Sequence, residues 1–241
     1  MVGSGTFARG GEAGREMLAP RRIVADVAAA GMPCANLAPT DHAASPPMLI
    51  FETPRLHLRP LGPGDEALYC HLYTDAEVMR HVGAPMTADA ARRSFRVARQ
   101  LATRGGTAAQ RWVVFEHGSP APIGLLALIA DAASADHARD GNAGTAEVGL
   151  MLRADRQRRG VAVAAIGAVA NRVFGPGAGA GPGLRLLWAR HAAGNVAATR
   201  LMLRLGFTRL PPRLPGEAEV RWQMPRDRWN ANRLAASGGK G

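Results

Sequence analysis

The stretch that decides the fold reads Glu147-Val148-Gly149-Leu150-Met151-Leu152, then Arg153-Ala154-Asp155-Arg156, then Gln157-Arg158-Arg159-Gly160-Val161-Ala162, and continues nearly without charge to Phe174. Its pattern is a strand, a short basic loop and the start of a helix. The first turn of a helix carries backbone N–H groups with no intrahelical acceptor, and the helix dipole puts its positive end there. A phosphate or pyrophosphate is the natural ligand of such a point. Gly160 lets the backbone approach that ligand without a Cβ in the way, and Ala162 keeps a nearby position small.

Working outward, the 241-residue chain fits one domain of ordinary size with some additional tail. Its 47% hydrophobic content suits a chain that forms a core. The formal charge is +11, and all but one of the 30 basic residues are arginines, Lys240 being the sole lysine. They are spread evenly, which reads mainly as a compositional bias and only secondarily as affinity for polyanions. Aromatics make up 5% and no recognition helix stands out, so nucleic acid ranks last among the partners. Cys34 and Cys70 lack metal-type spacing, so neither a zinc site nor a disulfide framework is expected. No apolar run reaches the roughly 18 residues that span a bilayer, and no secretory leader pattern precedes the first strand; the expected location is the cytoplasm.

Residues 1–47 are rich in Gly, Ala and Pro and read as a disordered extension, with a short helix at most over Ile23 to Ala30. Met48 directly precedes the first strand pattern and is expected to be the true initiator. Thr53 to Leu61 alternates as a half-buried strand. Helices are expected over Asp65 to Tyr73 and Asp75 to His81. Thr87 caps a third, with Ala91, Phe95, Ala98 and Ala102 as its stripe and Gly105-Gly106 as its stop. Trp112 to Phe115 and Ile123 to Ile129 are apolar on both faces and pair as a central hairpin. Asp131 to Gly144 is a surface loop. Thr145 to Leu152 is the next strand, with Val148, Leu150 and Leu152 on one face and Glu147, Gly149 and Met151 on the other. The helix after Gly160 is apolar almost all round, with Val163, Ile166, Ala170 and Val173 on one side and Val161, Ala165 and Ala168 on the other. Gly175 to Gly183 is a loop, and Leu184 to Arg190 a strand. Asn195 opens a helix with Ala198, Leu201, Met202 and Leu205 buried and Gly206 as its left-handed stop. Phe207 starts a short strand, Pro211 to Gly216 loops, and Glu219 to Met224 is the last strand. The body of the domain is placed at residues 48–230, and residues 231–241 form a flexible tail.

Three segments in this order and spacing resemble the GNAT (GCN5-related) N-acetyltransferases, and within them the ribosomal-protein N-terminal acetyltransferase (RimJ/RimL-type) subgroup. They are Thr53-Pro54-Arg55-Leu56-x-Leu58-Arg59-Pro60, Glu147-Val148-Gly149 with Gln157-Arg158-Arg159-Gly160-Val161-Ala162, and Asn195-x-x-Ala198 leading to Leu205-Gly206-Phe207. The similarity covers about residues 50–229. It implies an α+β fold in α/β/α layers, with a mostly antiparallel, splayed mixed sheet flanked by helices. It also implies acetyl-CoA as co-substrate. Backbone amides of Gln157, Arg158, Arg159, Gly160, Val161 and Ala162 would hold the pyrophosphate. Leu150, Met151 and Leu152 would pair main-chain with the pantetheine arm, and an amide there would polarise the acetyl carbonyl. Asn195 matches a position that contacts the pantetheine region, and it also serves as a helix cap.

The implied reaction is direct transfer of acetyl to a primary amine, either a protein N-terminus or a small molecule such as a polyamine, amino acid or aminoglycoside. The amine must lose a proton before it attacks. Glu147 is the candidate base, directly or through water; a structural ion pair is the equal alternative. The sequence departs from the family where a tyrosine would protonate the leaving thiolate: that position is Met202, and a common serine is Ala198. Solvent, Tyr69, Tyr73 or His191 remain as acids. No metal is expected. The acceptor pocket is expected near residues 65–85 and 211–219, where Glu66, Asp75, Glu77, Glu217 and Glu219 could attract a cation. A monomer or homodimer fits the resemblance. The competing reading is an acyl-CoA-binding module that keeps the cofactor site and lacks catalysis.

Overall fold

The computed structural model describes residues 50–103, 109–130, 144–175 and 184–238. The expected extension, the initiator at Met48, Cys34, the Gly105-Gly106 stop and most of the loops after Ala130 and Gly175 fall outside these residues. Eight strands form one sheet in the order β1-β2-β3-β4-β5-β6-β8-β7. They are β1 (Phe51–Glu52), β2 (Leu56–Pro60), β3 (Ala109–Glu116), β4 (Pro122–Ala130), β5 (Thr145–Leu152), β6 (Leu186–Ala192), β7 (Thr208–Arg209) and β8 (Glu219–Pro225). The helices are α1 (Glu66–Thr74), α2 (Ala76–Met79), α3 (Ala88–Thr103), α4 (Val161–Phe174), α5 (Val196–Arg204) and α6 (Arg226–Gly238). Neighbouring strands are antiparallel except β5 and β6, which run parallel.

Two cores make the layers. On one face α4, with buried Val161, Ala165, Ile166, Val169, Ala170, Val173 and Phe174, packs against Leu58, Trp112, Leu126, Val148 and Trp222 of the sheet. Val163 and Ala168 are only half-buried, so the helix has one dominant face, and small side chains let it lie close to the strands. On the other face α1, α2 and α3 bury Leu68, Tyr69, Leu72, Tyr73, Met79, Ala91 and Phe95 over Val113, Leu125, Ala127 and Met151. The two-sided apolar strands β3 and β4 are the sheet's centre because both faces are covered.

Some boundaries move for local reasons. Thr53 to Arg55 is a turn rather than strand, because the Thr53 hydroxyl accepts the Leu56 N–H at 2.8 Å and closes the corner. A short β1 pairs ahead of it. The polar stretch expected to fray after Trp229 is helical to Gly238. Buried Trp229 ties α6 down, its indole N–H donating to Asn171 Oδ1 at 3.0 Å. Asp65, 4% exposed, accepts both Arg59 guanidinium nitrogens at 2.7 and 2.8 Å and the Gly62 N–H at 2.6 Å, locking the corner after β2.

Arg111 on β3 breaks the apolar rule. It is 1% exposed, and none of its three side-chain nitrogens has a hydrogen-bond partner. Burial lowers its pKa, and Tyr69 and Tyr73 are the titratable groups near enough to counter that. An unpaired buried cation is among the more expensive features a core can hold. Replacing it with an apolar side chain of similar length should therefore stabilise the protein. Arg111→Met is expected to raise the melting temperature, by roughly 2–4 °C for each kcal/mol gained. Calorimetric or fluorescence melting reads this, and a lower melting temperature would show that the guanidinium has a stabilising partner.

Candidate active site

The sheet opens between β5 and β6. The two strands pair only at Thr145 with Leu186, Ala146 with Leu187 and Glu147 with Trp188. Beyond that point β5 stays with β4 as far as Leu152 opposite Gly124, while β6 stays with β8 as far as Ala192 opposite Glu219. The resulting cleft holds a cavity of about 320 Å³. Val148, Gly149 and Leu150 form one wall and Ala189 to Ala192 the other, with Asn195, the N-cap of α5, and Ala198, Leu201 and Met202 of that helix. Arg80 to Gly83, just after α2, and Ala218-Glu219, beside Ala192 at the end of β6, also line it.

The loop to α4 leaves the C-terminal end of β5. After Leu152 the chain makes a short 3-10 turn (Ala154–Arg156) and reaches Gly160. Arg158 has φ 62° and Gly160 φ 79°. Left-handed residues interleaved in this way turn successive amides toward one side, the geometry of an anion nest. Gly160 is the N-cap, so no side chain caps α4, and the first turn holds no acidic residue. The first backbone bond into the helix is Ala164 N–H to Gly160 C=O at 3.2 Å. The amides of Val161, Ala162 and Val163 thus have no intrahelical acceptor. This end is positive, uncapped and open, and it fits a diphosphate.

The residues singled out from the sequence divide in two. Leu150 and Asn195 line the cleft, with the Asn195 carboxamide oxygen accepting the Ala198 N–H at 3.0 Å, so the capping role is real. Arg158 to Ala162 surround the helix start. Gln157 turns its side chain back to the Leu152 carbonyl at 3.2 Å and braces the loop. The Met151 and Leu152 side chains are core, on opposite faces of the sheet. Glu147 is 6% exposed and sits behind the cavity wall, with Arg190 Nε donating to its Oε1 at 3.1 Å. Arg190 Nη1 also reaches Glu219 Oε2 at 3.5 Å, and both of these residues line the cavity. Arg190 was not foreseen. Its signal is a cation within the mostly apolar strand β6, the direct neighbour of the strand that carries Glu147.

The candidate acids are narrowed. Tyr69 and Tyr73 are fully buried under α3, Tyr69 sharing a 2.8 Å hydrogen bond with Ser94, and neither lines the cavity. His191 lines it, but both ring nitrogens are engaged. Trp222 Nε1–H donates to its Nε2 at 2.9 Å, and its Nδ1 lies 2.9 Å from the Ala192 carbonyl. That pairing requires the neutral Nδ1–H tautomer. Burial lowers the pKa of His191 below 6.5, with Arg209 and His81 adding to the shift against the Ala192 contact.

Set against known proteins, residues 55–208 match the acetyltransferase (GNAT) domain model, more than half of the chain. Solved structures share the fold at low identity. An apo structure described as FdhC, a nucleotide-linked sugar GNAT, aligns with TM-score 0.59 and 13% identity over 78% of this chain and 97% of that one. Spermidine N-acetyltransferase from Vibrio cholerae, in complex with CoA and spermine, gives 0.55 and 20% over 73% and 98%. RimL, a ribosomal L7/L12 alpha-N-protein acetyltransferase in complex with coenzyme A, gives 0.56 and 15% over 75% and 99%. No curated protein sequence matches. The chain belongs to the GNAT acetyltransferase family. It is an N-acetyltransferase with acetyl-CoA as its acetyl donor. Among the described residues no helix is long and apolar enough to cross a membrane.

Two outcomes follow from this geometry. Aspartate tolerates the left-handed region better than most residues but brings a negative charge to the anion nest. Gly160→Asp should raise the acetyl-CoA dissociation constant at least tenfold, and Gly160→Asn, of the same shape without the charge, much less. Calorimetric titration decides, and equal affinities in the two variants would contradict the electrostatic reading. For His191, the folded state disfavours the proton that the unfolded chain takes up near pH 6.5. Its contribution to stability is therefore complete above that pH and fades as pH falls toward the lower folded value. Melting temperature should drop more between pH 7.5 and 5.5 in the wild type than in His191→Gln; equal drops would remove His191 from the explanation.

Proposed function

We propose that this protein is a cytoplasmic enzyme that moves the acetyl group of acetyl-CoA directly to a primary amine, either a protein N-terminus or a small molecule. The observation that carries the reading is the uncapped start of α4 beside a strand edge freed by the splay. Amides from Arg158 to Ala162 hold the diphosphate there. The unpaired edge of β5 at Val148 to Leu150 accompanies the pantetheine arm toward Glu147, with Asn195 on the opposite wall. Acetyl-CoA brings an activated thioester; the protein's part is to place an amine against it and to take the proton that keeps the amine from attacking.

The proton reading rests on charge. Glu147 and Glu219 meet on one guanidinium, Arg190, which sets two carboxylates at the acceptor end. Such a cluster favours an ammonium group over an anionic or neutral acceptor. Glu219, with its side chain a quarter exposed, meets the ammonium and takes its proton. Glu147, behind it, fixes Arg190 and through Arg190 the orientation of Glu219. The freed amine nitrogen attacks the acetyl carbon, the C–S bond breaks, and the nitrogen sheds its second proton to solvent; solvent also supplies the thiolate's proton, since Met202 and Ala198 occupy the cavity wall where related enzymes carry hydroxyls. The ribosomal N-terminal subgroup and the polyamine enzymes share the fold, and each suggests an acceptor of this charge.

The test is thiol release from acetyl-CoA against a panel of peptide N-termini, polyamines, amino acids and aminoglycosides, run with the wild type and Glu219→Gln. Turnover on at least one primary amine is expected, with the amine KM about tenfold higher in Glu219→Gln and the acetyl-CoA KM unchanged. Tight binding of acetyl-CoA with no turnover on any amine would instead favour a binding module.

A further inference from the structure

The loop that presents the amides is held from outside itself. Arg158 is a non-glycine residue in the left-handed region, a conformation that costs about 1–2 kcal/mol and persists only where the surroundings enforce it. Within the loop the ties are few. Arg156 N–H reaches the Arg153 carbonyl at 3.0 Å, and the Gln157 N–H reaches Ala154 at 3.4 Å. The external tie comes from residues about a hundred and about forty positions earlier. Arg55 Nη1 donates to the Arg159 carbonyl at 2.9 Å. Arg55 Nη2 lies 3.4 Å from Glu116 Oε1, and the other oxygen of Glu116 accepts Arg156 Nη1 at 3.0 Å.

The consequence is geometric. The peptide unit is planar and trans, so the Arg159 carbonyl and the Gly160 N–H point in opposite directions. Fixing the carbonyl toward Arg55 aims the Gly160 amide the other way. It also keeps a carbonyl dipole from turning toward a bound anion. Glu116, one carboxylate with two arginine partners, holds Arg55 at one end of the loop and Arg156 at the other. Arg55 is itself fixed: the Thr53 turn sets its backbone, and its carbonyl accepts the His117 N–H at 3.0 Å. Glu116 is the register partner of Leu56, next to Arg55.

We infer that Arg55 and Glu116 are positioning residues for the diphosphate loop, acting on acetyl-CoA affinity through the Arg159–Gly160 peptide. The inference rests on the diphosphate reading of the loop. It assigns a purpose to Arg55 in the Thr53-Pro54-Arg55-Leu56 motif, beside Leu56, which serves the core.

The test compares two ligands by calorimetric titration of the full chain, CoA and S-acetylpantetheine, the second lacking the diphosphate. In Glu116→Gln and in Arg55→Met the dissociation constant for CoA should rise about tenfold while that for S-acetylpantetheine stays at the wild-type value. Arg55→Lys, which can still donate to the Arg159 carbonyl, should recover part of the loss. An unchanged CoA affinity in both variants overturns the inference. So does equal weakening toward both ligands, which would mean that the pair supports the whole cleft. A wild type that binds the two ligands equally well would instead overturn the diphosphate reading on which the inference rests.

Discussion

Three residue pairs join β5 to β6, and the interruption of that pairing is the constraint from which the rest of the site follows. On either side the sheet is conventional: β5 keeps its partner β4 to its last residue, and β6 keeps β8. Each half carries its own twist, so strands that part after Glu147 diverge. Main-chain groups of Val148 to Leu150 thereby lose a strand partner on one edge, and a buried edge without a partner is costly unless something else pairs with it. The cleft is thus a place where the fold itself asks for an extended ligand. The loop beyond β5 then delivers the uncapped end of α4 to the mouth of the same cleft.

Charge organises the two ends differently. At the α4 end no acidic side chain lies in the first helical turn, and the carboxylates of Glu116 and Asp155 face arginines. At the acceptor end two carboxylates share Arg190. On the proposed reading, the first arrangement suits an anionic carrier and the second a cationic acceptor. The net charge of +11 has no part in this; the local arrangement decides.

What the sequence reveals and what it hides divide along the range of the interactions. The central hairpin, the helix after Gly160 and the Asn195 cap are local patterns, and the structure has all three. The left-handed Gly160 at the strand-to-helix turn is equally local. Helix α6 was not legible, because its polar sequence is held by contacts distant in the chain, such as Trp229 to Asn171 across 58 residues and Arg228 to Thr208. Arg190 is invisible for the same reason, since its partners lie on β5 and β8 and neither is near in sequence. Glu147 could be singled out as a carboxylate beside the cleft, but only the fold puts a guanidinium between it and the cavity. Arg111 defeats pattern reading altogether: it precedes the two-sided apolar run Trp112 to Phe115, where a charge reads as the edge of the strand, not as part of the core.

The most direct test of the central claim is a crystal structure of the protein with CoA. The diphosphate should lie within hydrogen-bond distance of the amides between Arg158 and Ala162, with the pantetheine arm running along Val148 to Leu150 in the opening between β5 and β6. A diphosphate bound away from the start of α4, or an arm outside that opening, would contradict it.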